Sequence, residues 1–578
     1  MLKLFKYLKP YILQIILMIG LTYVQVTASL QLPDYMSTII NEGIIQENQS
    51  LILDTGLKML LVTALGAVCT IAVGYLASRV GTGFSKSLRK DVFSKVESFS
   101  LTEFNKFSIA SLITRSTNDI QQIQMVLTMM FRMVISAPIT GVAAVIKANQ
   151  MASSMTWIMW VAVVALVVVI VIMFIIAMPK FEIVQKLTDK LNLVTRENLT
   201  GLRVIRAFNT EKHEEKKFDK VNSDLMGVNL FVNRVMSLMQ PIMMLISNLT
   251  TIGIVWVGSH LIETGDLQIG DMMAFMQYAM QVIMSFLMVS IIFILVPRVS
   301  VSAKRIVEIL ETKPVIIDPK KAKKAKEGIS GLVEFNNVTF AYPDADVPVI
   351  QNISFSAEPG KTTAIIGSTG SGKSTVINLI PRFFDVTSGE ILVDGVDIRE
   401  MKQNELHKKI GYIPQNGTLF SGTVESNIKY GVPNASEKEV KKAAKTAQAS
   451  EFVNKLDKKY KSSIAQGGTN VSGGQKQRLS IARALAMKPE IYIFDDSFSA
   501  LDFKTDAKLR KELKKETKNS TVIIVAQRIG TVLDADQIVV LEEGKIAGIG
   551  KHKELMKTCE VYREIALSQL SEEELKNE

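Results

Sequence analysis

The sequence contains 578 residues, of which 48% are hydrophobic and 21% charged, and its formal net charge is +11. This length exceeds that of one compact domain, so at least two domains are expected. Lysine and arginine are concentrated between long apolar runs, where membrane proteins carry them, so nucleic-acid binding is not expected. The two cysteines, Cys69 and Cys559, predict neither a disulfide framework nor a metal site.

The first half of the chain contains six apolar stretches of about 20 residues, the length that crosses roughly 30 Å of hydrocarbon as a helix. They predict a helical transmembrane domain over residues 1–310. The predicted spans are 11–32, 57–78, 133–151, 155–178, 242–262 and 272–296.

The charges of the connections predict the orientation of the spans. Residues 33–55 and 258–271 carry acidic side chains without lysine or arginine, which is typical of the outer side. Residues 79–132 and 180–241 are long and basic, which is typical of the cytoplasmic side. An even number of spans then places both termini in the cytoplasm of a multi-pass plasma-membrane protein.

The long inner connections have helical periodicity, so spans two to five are expected to continue as helices into the cytosol. At their tips, residues 104–118 and 199–211 alternate apolar and basic residues at helical spacing. We interpret these tips as elements that contact a soluble domain, with a solvated amphipathic helix as the alternative. No Asp, Glu or His lies in the middle of a predicted span, which argues against a proton-coupled carrier.

Methionine is abundant in and beside the last two spans. Its flexible, polarizable side chain suits an adaptable cavity for varied apolar ligands, although it also simply fills cores. The residues concerned are Met243, Met244, Met273, Met276, Met280, Met284 and Met288.

A change in composition follows the last span. Pro314 and a lysine-rich run as far as Lys326 predict an exposed linker over residues 311–330. From residue 331 to 578, short strand-like and amphipathic segments alternate, which predicts a soluble α/β domain.

This second domain contains a phosphate-binding sequence after the apolar run 362–366. Gly-Ser-Thr-Gly-Ser-Gly-Lys-Ser matches G-x-x-x-x-G-K-[ST] between a predicted strand and helix, where backbone N–H groups can surround phosphate oxygens. Lys373 adds charge at the β- and γ-phosphates, and the Ser374 hydroxyl can bind Mg²⁺. The predicted ATP-binding residues here are Gly367, Ser368, Thr369, Gly370, Ser371, Gly372, Lys373, Ser374 and Thr375.

Two further elements complete the pattern. The apolar segment 491–494 ends in Asp495 and Asp496, and a buried strand would place Asp495 beside the phosphate loop, where it can hold Mg²⁺ through water. Ser472, Gly473, Gly474 and Gln475 open a helical pattern, which favours an anion site, although alone they are compatible with an ordinary loop.

In this order and spacing, the phosphate loop, Gln415, the Ser-Gly-Gly-Gln signature and Asp495 resemble an ATP-binding-cassette domain. The six spans, with residues 197–208 of the second inner loop, resemble the exporter class. The fold implied is a six-helix membrane domain followed by an α/β P-loop cassette. The resemblance also implies that Tyr342 stacks on the adenine of ATP and that Gln415 joins Ser374 and Asp495 at Mg²⁺.

In that family two cassettes close head to tail around two ATP molecules. Each site then combines the phosphate loop of one chain with the signature of the other. The resemblance therefore implies a second half-transporter as partner, and Ser472 to Gln475 would act on ATP bound by that partner. The loop 499–502 would contact the opposite cassette.

The sequence departs from the family at two positions. Asp496 stands where the family usually has glutamate, which sets the carboxylate roughly 1.5 Å farther back. Gln527 stands where the family expects a histidine, and it cannot carry a proton. Displacing a general base typically costs about 10² to 10⁴ in rate. Because the ATP-binding residues are retained, the two changes predict a degenerate site.

This pattern resembles one half of the heterodimeric multidrug exporters of bacteria. It implies ATP-driven export of small apolar or amphipathic compounds through a lipid bilayer. A homodimeric lipid or peptide exporter is the first alternative, and a nucleotide-gated channel or regulatory subunit is the second. The sequence does not distinguish among substrates.

Overall fold

The computed structural model describes residues 2–326, 328–343 and 345–569, and for residues 2 and 290–298 it describes the backbone alone. Two compact units result: Met1–Glu97 with Ile109–Thr312, and Ser98–Ser108 with Lys313–Glu578. We call them the first and second units. The helices before residue 313 are α1 (Ile12–Thr38), α2 (Gln49–Glu97), α3 (Leu101–Lys106), α4 (Ile109–Ser116), α5 (Asn118–Met129), α6 (Ser136–Met151), α7 (Thr156–Thr200), α8 (Leu202–Ala207), α9 (Glu211–Glu263) and α10 (Ile269–Glu311).

Six helical segments among the described residues are long and apolar enough to cross a membrane, which agrees with the predicted number of spans. They are Lys3–Ile44, Gln49–Glu97, Ile109–Met151, Ser153–Thr200, Glu211–Glu263 and Ile269–Val289. The side chains of 290–296, at the end of the last predicted span, lie outside the description. At 1.5 Å per residue, the 53-residue α9 is about 80 Å long, far more than the hydrocarbon requires. The expected extension of the helices beyond the membrane is therefore present.

The predicted outer connection over residues 33–55 is mostly helical. Helix α1 continues through Pro33 to Thr38, a π-helical turn covers Ile39–Ile44, and α2 begins at Gln49. Ser37, Ile40 and Asn41 are buried at helical spacing although the segment carries acidic residues. Packing of this face therefore extends the helix beyond the point where the apolar run ends.

Short helices form both inner tips. Helices α3 and α4 follow α2, and α8 connects α7 to α9. In the second tip, the side chains of Val204 and Phe208 are 60% and 75% exposed. Large apolar side chains in this position leave a surface available for a partner element.

Helices α1, α6 and α10 are joined by polar side chains at the ends that the sequence predicts to lie outside. Lys147 Nζ on α6 lies 2.7 Å from Asp34 Oδ2 on α1. Tyr278 Oη on α10 donates to Asp34 Oδ1 at 2.5 Å. Tyr278 is fully buried, whereas the Lys147 side chain is 40% exposed. One carboxylate therefore accepts from two other helices.

Replacing Lys147 by Met is expected to lower the thermal unfolding temperature of the detergent-purified protein. The substitution leaves the partly buried Asp34 carboxylate without its cation, at a cost of about 1–2 kcal/mol. The matched control is Lys58→Met, because the Lys58–Asp54 pair on α2 is exposed on both sides and contributes little. Equal shifts for the two variants would show that Asp34 does not depend on Lys147.

The second unit contains three sheets within its described residues. The central sheet has the strand order β12–β11–β3–β10–β9–β6, in which β12 alone is antiparallel to its neighbour. A second sheet has the order β2–β1–β4–β5, and β7 pairs with β8. The strands are β1 (Val333–Phe340), β2 (Ile350–Ala357), β3 (Thr362–Gly367), β4 (Ser388–Val393), β5 (Val396–Asp397), β6 (Ile410–Ile413), β7 (Gly422–Thr423), β8 (Ser463–Ile464), β9 (Ile491–Asp495), β10 (Thr521–Val525), β11 (Gln537–Glu542) and β12 (Lys545–Gly550).

The described helices of this unit after residue 313 are α11 (Lys373–Leu379), α12 (Gln403–Lys409), α13 (Val424–Ile428), α14 (Glu437–Thr446), α15 (Ser450–Asn454), α16 (Gly473–Met487), α17 (Phe503–Glu516), α18 (His552–Thr558) and α19 (Glu560–Leu567). Every residue of β9 and β10 is buried, as expected for parallel strands covered on both faces. In the register of the sheet, Val525 on β10 pairs with both Ile365 on β3 and Asp495 on β9. The carboxyl ends of β3 and β9 therefore lie at one edge, the usual position of ligand sites in such sheets.

Candidate nucleotide-binding site

The predicted phosphate loop connects β3 to α11 and requires glycine at several positions. Gly370 and Gly372 have φ of +86° and +94°, which other residues rarely adopt. A Cβ at Gly372 would lie 2.7 Å from Ile350 Cγ2, and one at Gly367 would lie 2.1 Å from Leu541 O. The loop is therefore held close to the sheet, with α11 beginning directly behind it, which is the geometry of an anion site.

The side chains of the loop fit a phosphate ligand. Lys373 Nζ donates to Gly367 O at 2.8 Å and to Ser368 O at 2.7 Å, so the ammonium lies over the loop. Burial lowers the pKa of Lys373, and the nearby carboxylates Asp496 and Asp495 oppose that shift. Ser371 Oγ is buried without a hydrogen-bond partner in the described part of the chain. An unpaired buried hydroxyl is costly, so a ligand oxygen suits this position.

Two predicted Mg²⁺ ligands meet at the end of β9. Ser374 Oγ donates to Asp495 Oδ1 at 3.0 Å. Burial raises the pKa of Asp495, while the Ser374 hydrogen bond opposes that shift and Asp496 adds to it. A hydroxyl beside a buried carboxylate is the donor set that holds Mg²⁺ in phosphate-loop proteins, so these residues fit the ion.

Gln415, Asp496 and Gln527 form one hydrogen-bonded cluster. Asp496 Oδ2 accepts from Gln527 Nε2 at 2.9 Å and from Gln415 Nε2 at 3.2 Å. Burial raises the pKa of Asp496, and the hydrogen bond from Gln415 opposes the shift. The structure thus brings together the two residues that depart from the family pattern, and it directs the Gln415 amide nitrogen to Asp496.

The backbone of Asp496 is also constrained. Its φ is +44°, an unusual conformation for a residue other than glycine. Its N–H donates to Val525 O at 3.0 Å, and Ser499 Oγ donates to its carbonyl at 2.9 Å. The backbone that carries the carboxylate is therefore held on both sides of the Asp496 Cα.

Tyr342 lies beside the start of α11. Its Oη is 3.1 Å from Thr375 Oγ1, and its ring makes edge contacts with Phe340 and Phe384 at 5.0 and 5.3 Å between centroids. These contacts fix the ring close to the phosphate loop. Stacking of Tyr342 on adenine remains a prediction.

The signature residues cap helix α16. Gln475 N donates to Ser472 Oγ at 3.3 Å, and Ser472 N donates to Gln475 Oε1 at 3.0 Å, a capping box. Ser472 and Gly473 are exposed. A Cβ at Gly474 would lie 3.1 Å from Ala500 O, in the loop 499–502 that was predicted to contact another cassette. The start of α16 thus presents free backbone N–H groups to the outside of the unit.

The sequence analysis missed Tyr412 and Asn378. Tyr412 Oη on β6 donates to Asn378 Oδ1 on α11 at 2.9 Å. Burial raises the pKa of Tyr412, and Asp495 on the neighbouring strand raises it further. Strand β6 pairs in parallel with β9, so its end reaches the Mg²⁺ edge. The apolar run 410–413 that ends shortly before Gln415 is the signal that could have located Tyr412.

Comparison with known proteins agrees with this geometry. Residues 15–286 match the family described as ABC transporter transmembrane region, and residues 350–499 match the family described as ABC transporter. An uncharacterized ABC transporter ATP-binding protein of Mycobacterium tuberculosis is 40% identical, with 98% of this chain and 97% of that protein covered. Another from Bacillus subtilis is 36% identical, with 99% of each chain covered.

A solved structure has the same architecture. The structure of a bacterial Atm1-family ABC exporter with ATP bound matches with a TM-score of 0.80 at 25% identity, over 98% of this chain and 99% of that one. Six membrane helices joined to a phosphate-loop cassette define an ATP-binding-cassette transporter. The chain belongs to the ABC transporter family. It is an exporter half-transporter with the Atm1-family fold, which confirms the predicted fold class.

Membership of this family establishes the general activity. The cassette is an ATPase domain that binds ATP, normally with Mg²⁺, and drives transport. The chain is a multi-pass membrane protein that acts with a second half. The ATP itself is the source of energy, and Mg²⁺ supplies charge neutralisation at its phosphates. Ser374 and Asp495 would hold the ion, while Lys373 and the loop backbone orient the phosphates.

Proposed function

We propose that this chain is the degenerate-site half of a heterodimeric exporter for small apolar or amphipathic compounds. The observation that carries the proposal is the double amide contact of Asp496: Gln415 Nε2 at 3.2 Å and Gln527 Nε2 at 2.9 Å share one carboxylate oxygen. Asp496, in the position of the water-activating residue, thus has a shorter side chain than glutamate and is hydrogen-bonded to two amides.

The chemistry of hydrolysis requires a carboxylate that polarises a water molecule in line with the γ-phosphate. Asp496 is one methylene shorter than glutamate. Its Oδ2 already accepts hydrogen bonds from the amides of Gln415 and Gln527. Gln527 is neutral and does not exchange a proton at functional pH. Displacement of such a base reduces a rate by about 10² to 10⁴.

Binding and hydrolysis are separable in this site. Lys373, Ser374 and Asp495 keep the contacts that suit Mg·ATP, whereas the altered residues belong to the hydrolytic step. The exposed Ser472 and Gly473 would close on ATP held by the partner. We infer that one competent and one retained ATP site form in the complex.

The nature of the substrate is inferred from the membrane helices. Met243 is 4% exposed and packs in the core, as methionine often does. Met244 and Met284, in contrast, are 65% and 51% exposed in the single chain. Flexible apolar side chains on a surface favour a cavity that accepts varied apolar compounds.

Export of a lipid, by a homodimer or with a partner, is the second candidate, and the names of two relatives favour it. A fatty acid ABC transporter ATP-binding/permease protein of Mycobacterium bovis is 31% identical over 82% of this chain. An ATP-dependent lipid A-core flippase of Syntrophus aciditrophicus is 29% identical over 90% of it. Flippase assays with labelled phospholipid beside dye-efflux assays separate the two candidates.

We also propose the arrangement of the chain in a bacterial plasma membrane. The basic connections favour a cytoplasmic cassette and cytoplasmic termini. The transmembrane domain is assigned to residues 1–310, the linker to 311–330 and the nucleotide-binding domain to 331–578. The break between the two units at Thr312 supports the first boundary, although Ser98–Ser108 joins the second unit.

The purified single chain is expected to bind Mg·ATP yet hydrolyse it at least about a hundredfold more slowly than the complex with its partner. Nucleotide binding is measured with a fluorescent ATP analogue, and turnover is measured as phosphate release. Lys373→Ala provides the control, because it should remove binding. Rapid turnover by the single chain that Lys373→Ala abolishes would contradict the degenerate-site assignment.

A further inference from the structure

Helix α3 belongs to the second unit, whereas the other helices before residue 313 belong to the first. It follows α2 along the chain, but Ser98–Ser108 forms one compact unit with Lys313–Glu578. The helix has six residues and is preceded by Ser100. A helix this short has little stability of its own, so its position depends on tertiary contacts.

Glu103 supplies those contacts with a buried carboxylate. The residue is only 4% exposed. Its Oε2 accepts from Ser100 N at 2.8 Å and Ser100 Oγ at 2.7 Å, which closes the start of α3. Its Oε1 accepts from Val315 N at 3.0 Å, and Val315 begins the segment that leads to the cassette. One carboxylate thus uses one oxygen for the helix and the other for the linker.

Buried apolar residues lie next to both ends of this contact. Phe107 and Ile316, which follow the helix and the linker contact respectively, are 4% and 5% exposed. The Val315 side chain itself is 63% exposed, so the residue contributes chiefly its backbone N–H. Hydrogen bonds to an ionised carboxylate are shorter and stronger than those between neutral groups.

We propose that Glu103 is a positioning residue that ties α3 to the start of the linker, so that displacement of the cassette on binding ATP moves α3 with it. The contact lies within the second unit, between α3 and the start of the linker, and α3 follows α2 directly along the chain. The proposal rests on ATP-driven transport alone and is independent of whether the chain forms a heterodimer or has a degenerate site.

The test is hydrogen exchange of the full transporter in lipid nanodiscs, co-purified with its second half, with and without Mg·ATP. In the wild type, Mg·ATP is expected to change the exchange of amides in Ser98–Ser108. Val315→Pro removes the backbone donor to Glu103 Oε1 and should reduce this change by about threefold or more. Val315→Ala keeps the N–H and should retain the change.

Two further variants separate positioning from folding. Ser100→Ala removes the hydroxyl donor from α3 but keeps the Val315 contact, so the ATP-dependent change should persist. Glu103→Gln leaves a single acceptor oxygen for both the helix and the linker, so the change should fall even if Val315→Pro does not fold. Exchange in residues 367–374 is recorded throughout to show that each variant binds ATP. An unaltered change in Val315→Pro or Glu103→Gln, or its absence from the wild type, would overturn the proposal.

Discussion

Replacing Gly473 by Asp is expected to reduce ATP-driven transport by the assembled exporter by about a hundredfold or more while the chain remains folded. A Cβ at Gly473 meets no atom within 4 Å in its own chain, so the side chain is accommodated there. In the closed pair, the new carboxylate would instead face the γ-phosphate of the partner's ATP and repel it. Transport in proteoliposomes and phosphate release by the complex are the measurements.

Two controls accompany this variant. Gly227→Asp adds the same charge at another exposed glycine without a neighbour within 4 Å, in α9, and should leave most of the transport. Asp496→Asn alters the proposed degenerate site itself and should also leave much of the transport, because our proposal assigns the competent site to the partner. Equal losses in Gly473→Asp and Asp496→Asn would show that the signature of this chain does not serve a separate, competent site.

The elements predicted from sequence were those with a strong local signal. The apolar spans exceed any length that a soluble protein needs, and the phosphate loop combines fixed glycines with Lys373 and Ser374 in a short stretch. Such patterns survive in any tertiary context. The end of α1 and the π-helical turn after it are different. Their formation beyond Pro33 depends on burial of Ser37, Ile40 and Asn41, which lie outside the predicted apolar span.

Contacts between distant residues were the part that sequence could not supply. Asp34 and Lys147 are 113 residues apart. In the sequence, each is simply a charged residue near the end of a predicted span. Their pairing depends on how α1 and α6 pack. Glu103 and Val315 are separated by 212 residues, and the donor is a backbone N–H, which carries no signature in a side-chain pattern.

The candidate site was predicted in part: its residues were identified from the sequence, but their contacts were not. The family resemblance identified Asp496 and Gln527 as altered positions, but their hydrogen bond joins residues 31 positions apart. It follows from the parallel pairing of β9 with β10, which places Asp495 level with Val525. The sheet order therefore shows that the two altered residues, although distant in sequence, lie side by side in one site. Under the proposed degenerate-site assignment, both changes then affect the same chemical step.

A retained ATP has a mechanical consequence, because a ligand that stays bound stabilises the state that holds it. The stabilisation is RT ln(1 + [L]/Kd), about 2.7 kcal/mol when ATP is a hundredfold above its Kd. That amount biases a two-state equilibrium about a hundredfold if ATP binds the closed cassettes preferentially. We therefore expect the degenerate site to keep the two cassettes close while the competent site cycles.

Restoring both family residues, Asp496→Glu with Gln527→His, is expected to raise ATP turnover and to separate the cassettes between cycles. The longer carboxylate reaches the attacking water, and histidine replaces the amide that now donates to Asp496 Oδ2 at 2.9 Å, so ATP is no longer retained at this site. Phosphate release and a spin-label distance across the cassettes, with and without ATP, measure the two effects. The single change Gln527→His is the control, because it removes one of the two amide donors to the carboxylate without lengthening the side chain, and it should restore only part of the rate. Unchanged turnover together with the same distance distribution would mean that the two substitutions are neutral and that retained ATP does not hold the cassettes together.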